Sequence, residues 1–145
     1  ALISDAGTPL ISDPGFKLVR SARENNLEVK TIPGANAAIA ALSVSGLPTD
    51  KFLFVGYLPK TSGKRNQLLE KLVQVKNLLP QTLVFYESPH RIEKTLSDLE
   101  KYFPDSNLTL CREMTKVHEQ TLTGSVEEIC AQLKSSKGEF TVCLS

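Results

Sequence analysis

The chain has 145 residues, enough for one domain or two small ones. Hydrophobic residues make up 41% of it and charged residues 23%, which allows a globular core and excludes a disordered protein. The net charge is only +1, so affinity for RNA would have to come from a local basic patch or from a partner.

No apolar run approaches the length of a membrane span, and no signal peptide is recognisable. We therefore expect a cytoplasmic protein with no membrane partner. The cysteines Cys111, Cys130 and Cys143 are odd in number and far apart, so we expect reduced core residues, with no disulfide and no metal site. The chain lacks an initiator methionine and opens inside a predicted strand, from which we expect a fragment.

The first fifteen residues predict a strand, a loop and a capped helix. Ala1-Leu2-Ile3 is typical of the end of a buried strand, and the small residues after it predict a loop. Asp13 suits an N-cap, and Pro14 suits the first helical position. In an open α/β sheet such a loop is where ligands bind, although an ordinary turn is the alternative.

The same pattern then repeats. Residues 29–32 predict a strand, Pro33-Gly34 a turn, and the alanine-rich residues 35–45 a helix that ends at Gly46. The residues expected to face the core from the first helix are Leu18, Val19 and Ala22. Two such loops after adjacent parallel strands would form one crevice, and a plain turn before a buried helix is again the alternative.

A domain boundary is predicted at residues 46–50, which divides the chain into residues 1–50 and 51–145. The second part predicts strands at 52–55, 82–86, 107–112, 120–123 and 139–144. Its predicted helices begin at caps formed by Thr61 or Ser62, by Ser88-Pro89, and by the capping box Ser125 to Glu128. Their expected core residues are Leu68, Leu72, Val75, Leu79, Ile92, Leu96, Leu99, Phe103, Val126, Ile129, Cys130 and Leu133.

Ser4-Asp5-Ala6-Gly7-Thr8-Pro9 followed by Ile11-Ser12-Asp13-Pro14-Gly15 resembles the signature of the tetrapyrrole-methylase superfamily of S-adenosylmethionine (SAM) methyltransferases. Phe85-Tyr86-Glu87-Ser88-Pro89-His90-Arg91 and Cys111-Arg112-Glu113-Met114-Thr115-Lys116 resemble its ribosomal RNA small subunit methyltransferase I branch. The resemblance implies two small α/β domains with the cofactor cleft between them, the first domain being incomplete. It also implies a homodimer and 2′-O-methylation of a cytidine in small-subunit ribosomal RNA.

Carried over by this resemblance, the residues expected to bind SAM are Gly7, Thr8, Ile11, Ala35, Asn36, Ala37 and the backbone near Glu87. The expected catalytic residues are Glu113, Arg112, Lys116 and His90, and the expected RNA-binding residues are Lys64, Arg65 and Arg91. Arginine and lysine can bind RNA phosphates or lower the pKa of the ribose hydroxyl. A carboxylate or an imidazole can accept the proton of that hydroxyl or orient a basic neighbour.

Plainer interpretations of these residues stay open. In these interpretations His90 is a surface residue, Glu113 belongs to a local ion-pair cluster, and Lys60, Lys64 and Arg65 form a solvated loop. Two other functions also stay open: methylation of a tetrapyrrole precursor, and a non-catalytic SAM- or RNA-binding module. The tetrapyrrole enzymes would be expected to have Gly-Asp-Pro where this chain has Gly7-Thr8-Pro9.

Overall fold

The computed structural model describes residues 1–145, which form five helices and five strands. The helices are α1 (Phe16–Glu24), α2 (Ala37–Val44), α3 (Ser62–Leu78), α4 (Ile92–Tyr102) and α5 (Val126–Gln132). The strands are β1 (Phe52–Tyr57), β2 (Thr82–Glu87), β3 (Leu108–Arg112), β4 (Gln120–Gly124) and β5 (Phe140–Leu144). None of the helices has the length and hydrophobicity needed to cross a membrane.

The strands make one mixed sheet in the order β1-β2-β5-β3-β4. β1 and β2 run parallel, while β5 runs antiparallel to both of its neighbours, β2 and β3. The register pairs Phe140 with both Glu87 and Arg112. The carboxyl ends of β1, β2 and β3 therefore meet at one edge of the sheet, which we call the functional edge.

Successive residues of the central strands point to opposite faces of the sheet, and each face is covered by helices. One face carries the larger core, under α3, α4 and α5. The other face packs against α2 through Ala38, Ala41 and Leu42, which meet Val84, Cys111 and Cys143. This arrangement confirms an α/β fold, and the α4 residues expected in the core are all buried.

The core face of α3 differs in part from the predicted one: Leu72 is buried and Leu68 packs against the core as expected. Leu69 and Leu72 are buried together with Arg65, whereas Val75 and Leu79 are 39% and 48% exposed. Positions 65, 69 and 72 have the same i, i+4, i+7 spacing as the predicted stripe. Helical periodicity therefore could not decide which of these two neighbouring faces of α3 is buried. The buried face is the one that places Arg65 next to α4.

The two strands predicted within residues 1–50 do not form. Residues 1–4 and 29–32 have no neighbouring strand in the chain, and a strand exists only through such a ladder. For the same reason α1 has no sheet to cover and buries none of its residues, so its predicted core face is wrong. The exposed large apolar side chains of this region are Leu2, Ile3, Ile11, Phe16, Leu18, Leu27, Ile32, Ile39 and Val44.

Several helix starts also differ from prediction. α1 follows Gly15, whose φ of 135° only glycine adopts easily, so Asp13 and Pro14 are not its cap and first residue. α4 starts at Ile92, after a turn closed by Ser88, so Ser88-Pro89 is not its cap either. Both sequence patterns specified a turn, and the helix begins only where that turn has ended.

The capping box at α5 is confirmed: the hydroxyl of Ser125 accepts from Glu128 N–H, and the Glu128 carboxylate accepts from Ser125 N–H. On that helix Ile129 is buried, but Cys130 is exposed. The core prediction therefore holds for Cys111 and Cys143 and is wrong for Cys130.

Candidate functional site

Four connections meet at the functional edge. Residues 58–61 follow β1, residues 88–91 follow β2, residues 113–119 follow β3, and residues 133–139 lead into β5. The two motif stretches around Glu87 and Glu113 are therefore neighbours on one edge, although they are far apart in sequence. His90, Arg91, Arg112, Glu113 and Lys116 share this edge, whereas the side chain of Glu87 is buried beneath it.

The opening loop and the loop before α2 also lie together, although the strands predicted to precede them do not form. Thr8 donates its backbone N–H to the carbonyl of Ala35 at 2.8 Å and its hydroxyl to the same oxygen at 3.1 Å. A Cβ on Gly7, whose φ is +73°, would lie 3.2 Å from that carbonyl. The first helical turn of α2 points at the functional edge, because Ala38 N–H donates to the Tyr86 hydroxyl at 3.3 Å.

These loops have the chemistry that SAM would need. Among residues 1–14 only Thr8 has its backbone N–H bonded within the chain, so main-chain donors remain for a carboxylate, hydroxyl groups or an adenine edge. Most side chains here are small, and Ile11 is 41% exposed. Asn36 has another task, since its carbonyl oxygen caps α2 by accepting from Ile39 N–H at 3.1 Å.

Glu87 is the centre of a buried network. Its carboxylate accepts from Arg91 at 2.6 Å, from the Thr95 hydroxyl at 2.7 Å and from Ser88 N–H at 2.6 Å. Arg91 also donates to the carbonyl of Leu58 at 3.0 Å. The network ties the loop after β1 to the start of α4, and it leaves Ser88 N–H occupied, so a ligand near Glu87 would meet other backbone groups.

A groove of about 680 Å³ opens beside this network. It is lined by Tyr57, Leu58, Pro59, Lys60, Ser88, His90 and Arg91. Lys60, His90 and Arg91 supply basic groups, and no carboxylate lines it. Because the net charge of the chain is low, any contact with RNA needs a local basic patch, and this groove is such a patch.

Arg65 corrects the prediction of a solvated basic loop. Its residue exposure is 1%, and its guanidinium pairs with Asp98 at 2.7 Å. The same guanidinium donates to the carbonyls of Pro59 and Lys60, both at 3.3 Å. Arg65 thus supports the groove from below and offers no surface to RNA, whereas Lys64 beside it is exposed.

The Glu113 and Lys116 side chains form an ion-pair cluster together with Glu139, while Arg112 beside them makes no ion pair. Lys116 lies 3.1 Å from the Glu113 carboxylate and 2.8 Å from that of Glu139. Glu113 also accepts from Glu139 N–H at 2.8 Å. These bonds lower the pKa of Glu113 and raise that of Lys116, so both stay charged at neutral pH.

The backbone of this cluster is held in an uncommon conformation. Glu113 and Thr115 have φ values of 50° and 66°, a region that residues other than glycine rarely adopt. Arg112 donates to the carbonyl of Lys137 at 2.6 Å and to that of His118 at 3.3 Å. Arg112 therefore clamps the two connections that present Lys116 at the edge.

Tyr57 and Tyr86 are site residues that the sequence analysis missed. Their ring centroids lie 5.7 Å apart, and Phe54 packs edge-on against Tyr86 at 5.0 Å. Burial is the main cause that raises the pKa of Tyr57, and the negative charges of Glu139 and Glu87 raise it further, so its hydroxyl stays protonated. The available signal was the aromatic run Phe52, Phe54 and Tyr57, which extends past the predicted strand end.

Comparison with known proteins agrees with the geometry. The family model of the tetrapyrrole (corrin/porphyrin) methylases matches residues 1–130. The chain is 48% identical over 142 residues to the ribosomal RNA small subunit methyltransferase I of Halalkalibacterium halodurans, covering 97% of this chain and 48% of that protein. It is 51% identical over 148 residues to that of Haemophilus influenzae, covering 98% and 50%.

Solved structures show the same fold at low identity. The methyltransferase CobJ superposes with a TM-score of 0.63 at 17% identity, covering 96% of this chain and 61% of that one. The Thermus thermophilus uroporphyrin-III C-methyltransferase, complexed with S-adenosylhomocysteine, gives 0.57 at 17%, covering 94% and 62%. The chain spans about half the length of the curated relatives it matches. It belongs to the tetrapyrrole (corrin/porphyrin) methylase family.

Proposed function

We propose that the protein is a SAM-dependent methyltransferase that acts on the 2′-hydroxyl of a cytidine in small-subunit ribosomal RNA. One observation carries the proposal: the stretches typical of the ribosomal RNA branch share one edge with the loops suited to SAM. The names of the curated relatives, at 41–51% identity, support small-subunit ribosomal RNA as the substrate. The expected setting is the cytoplasm, and the expected assembly is a homodimer.

SAM would be held by the opening loop and the loop before α2, through Gly7, Thr8, Ile11, Ala35 and Ala37. The bound cofactor supplies the methyl group. Glycine and alanine at these positions allow the backbone to approach a ligand closely. Asn36 contributes by capping α2, which fixes the backbone of its neighbours.

RNA would lie along the groove, with its phosphates near Lys60, Lys64 and Arg91. Arg91 is pre-oriented by Glu87 and the Leu58 carbonyl, so little side-chain entropy is lost when it binds a phosphate. His90 lines the same groove and is exposed, which makes it the candidate for accepting the proton of the ribose hydroxyl.

We assign different roles to the ion-paired Glu113 and Lys116 and to the adjoining Arg112. Glu113 already accepts two hydrogen bonds, and its pKa is lowered, so it orients Lys116 instead of taking a proton. Lys116 presents a permanent positive charge that would stabilise the ribose oxygen as it loses its proton. Arg112 holds the surrounding backbone in place.

The test measures SAM affinity, RNA affinity and single-turnover methylation of small-subunit ribosomal RNA. Lys116→Met should leave SAM affinity unchanged and reduce methylation by about a hundredfold, the effect typical of losing one charge-stabilising donor. Lys137→Met is the matched control, since it removes a nearby lysine that does not contact Glu113, and it should be near normal. Normal methylation by Lys116→Met would refute this role, and methylation of uroporphyrinogen but not RNA would refute the substrate.

A further inference from the structure

We propose that Tyr57 is the stacking platform for an unpaired RNA base, next to the nucleotide whose ribose is methylated. The inference rests on the proposed function and adds to it a residue that selects single-stranded RNA. It is carried by three features of β1 and its surroundings: a bulge, a supported ring and a basic groove.

The bulge decides where Tyr57 points. The pairing of β1 with β2 shifts by one residue between Phe54 and Gly56, so Tyr57 pairs with Tyr86. Without that extra residue Tyr57 would pair with Glu87 and lie on the opposite face of the sheet. Gly56 has a φ of +73°, and no atom lies within 4 Å of the position that a Cβ would take. Glycine is therefore required by the backbone conformation and not by a lack of space for a side chain.

The ring is held firmly yet remains open to solvent. Tyr57 packs edge-on against Tyr86 at 63°, and Tyr86 packs against Phe54 at 66°. Tyr57 nevertheless leaves 55% of its surface exposed. An aromatic ring that is fixed in orientation and exposed on one side loses little freedom when a flat ligand stacks on it.

The surroundings of the ring identify the ligand. Tyr57 shares its groove with Lys60, His90 and Arg91, so an aromatic surface lies beside cations, the combination that single-stranded RNA uses for its bases and phosphates. On its other side the ring contacts Tyr86, whose hydroxyl bonds Ala38 just after the expected cofactor loop. A base stacked on Tyr57 would bring the adjoining ribose towards that loop.

The experiment compares Tyr57→Ala, Tyr57→Leu and Tyr57→Phe with the control Phe52→Ala. Phe52 begins the same strand at the other edge of the sheet and is 41% exposed. The probe is a single-stranded oligocytidine carrying one 2-aminopurine, whose fluorescence falls on stacking. RNA affinity at several salt concentrations, SAM affinity and methylation of small-subunit ribosomal RNA complete the measurements.

Tyr57→Ala and Tyr57→Leu should weaken RNA binding by on the order of tenfold to a hundredfold, the range for losing one stacked base. The salt dependence should keep its slope, because no phosphate contact is lost. Tyr57→Phe and Phe52→Ala should bind RNA normally, and all variants should bind SAM normally. The decrease in 2-aminopurine fluorescence should disappear in Tyr57→Ala and Tyr57→Leu alone.

Two results would overturn the inference while leaving the proposed function intact. Normal RNA binding by Tyr57→Ala and Tyr57→Leu, in a protein that methylates ribosomal RNA, would mean that the ring is only structural. Loss of SAM affinity with normal RNA affinity would assign the ring to the cofactor. Wild-type protein that neither binds nor methylates the RNA would instead refute the proposed function itself.

Discussion

Replacing Asp98 with asparagine should destabilise the protein strongly, because it leaves the charge of Arg65 buried without a counter-ion. The two side chains are 18% and 2% exposed and lie 2.7 Å apart. The remaining partners of Arg65 are two carbonyls at 3.3 Å, and its Nη2 atom has none. Breaking a buried pair by removing one partner typically costs 3–5 kcal/mol, and the partial exposure of Asp98 points to about 3 kcal/mol.

Arg65→Met should cost less, about 1–2 kcal/mol, because it removes the buried charge and leaves Asp98 free to hydrate. The double variant Arg65→Met, Asp98→Asn should therefore be more stable than Asp98→Asn alone. That ordering distinguishes an uncompensated charge from a simple loss of packing, which would make the double variant the least stable.

Urea denaturation measures these differences, and thermal unfolding checks them. For a chain of this size about 3 kcal/mol corresponds to a fall in Tm of roughly 6–12 °C. The control is Glu24→Gln, which breaks the Arg20–Glu24 pair, whose side chains are 66% and 59% exposed, and it should change stability by less than about 0.5 kcal/mol. An Asp98→Asn variant as stable as this control would refute the reasoning.

Gly7→Val should abolish SAM binding in isothermal titration, since valine is strained at a φ of +73° and its Cβ would lie 3.2 Å from the Ala35 carbonyl; unchanged affinity would contradict the cofactor placement. The pKa of Glu113 lies below its ordinary 4.5, so its contribution to stability is complete above that pH and is lost as the pH falls. The stability difference between wild type and Glu113→Gln should therefore shrink on acidification, and a growing difference would show the opposite sign. Cys130 alone should react with Ellman's reagent in the folded protein, because Cys111 and Cys143 are buried and burial raises the pKa of Cys143 to about 12; reaction of a second thiol before urea is added would mean that the core opens.

Several patterns that depend on near neighbours in sequence were predicted correctly, although the expected caps of α1 and α4 were not. The Ser125 capping box, the apolar stripe of α4 and the strands predicted at 107–112 and 120–123 are all present. Each depends on residues only a few positions apart or on a short connection. Local chemistry and periodicity are sufficient for such elements.

Features that depend on distant partners were not predictable in the same way. The predicted strand at 29–32 has the right composition but no neighbouring strand, and strands form only in pairs. Arg65 resembled any loop arginine because its partner Asp98 lies 33 residues away. The face of the sheet on which Tyr57 lies depends on one extra residue in β1. A simple count of alternating residues would have assigned Tyr57 to the wrong face.

The position of β5 in the sheet has a consequence for how the protein folds during synthesis. β5 lies between β2 and β3, so it is the only link between the pair β1–β2 and the pair β3–β4. Both pairs must therefore wait on the ribosome, with one long edge unpaired, until residues 140–144 emerge on the order of seconds after β3. During that interval the buried strands Thr82–Glu87 and Leu108–Arg112 each expose an unpaired edge and are open to wrong pairing.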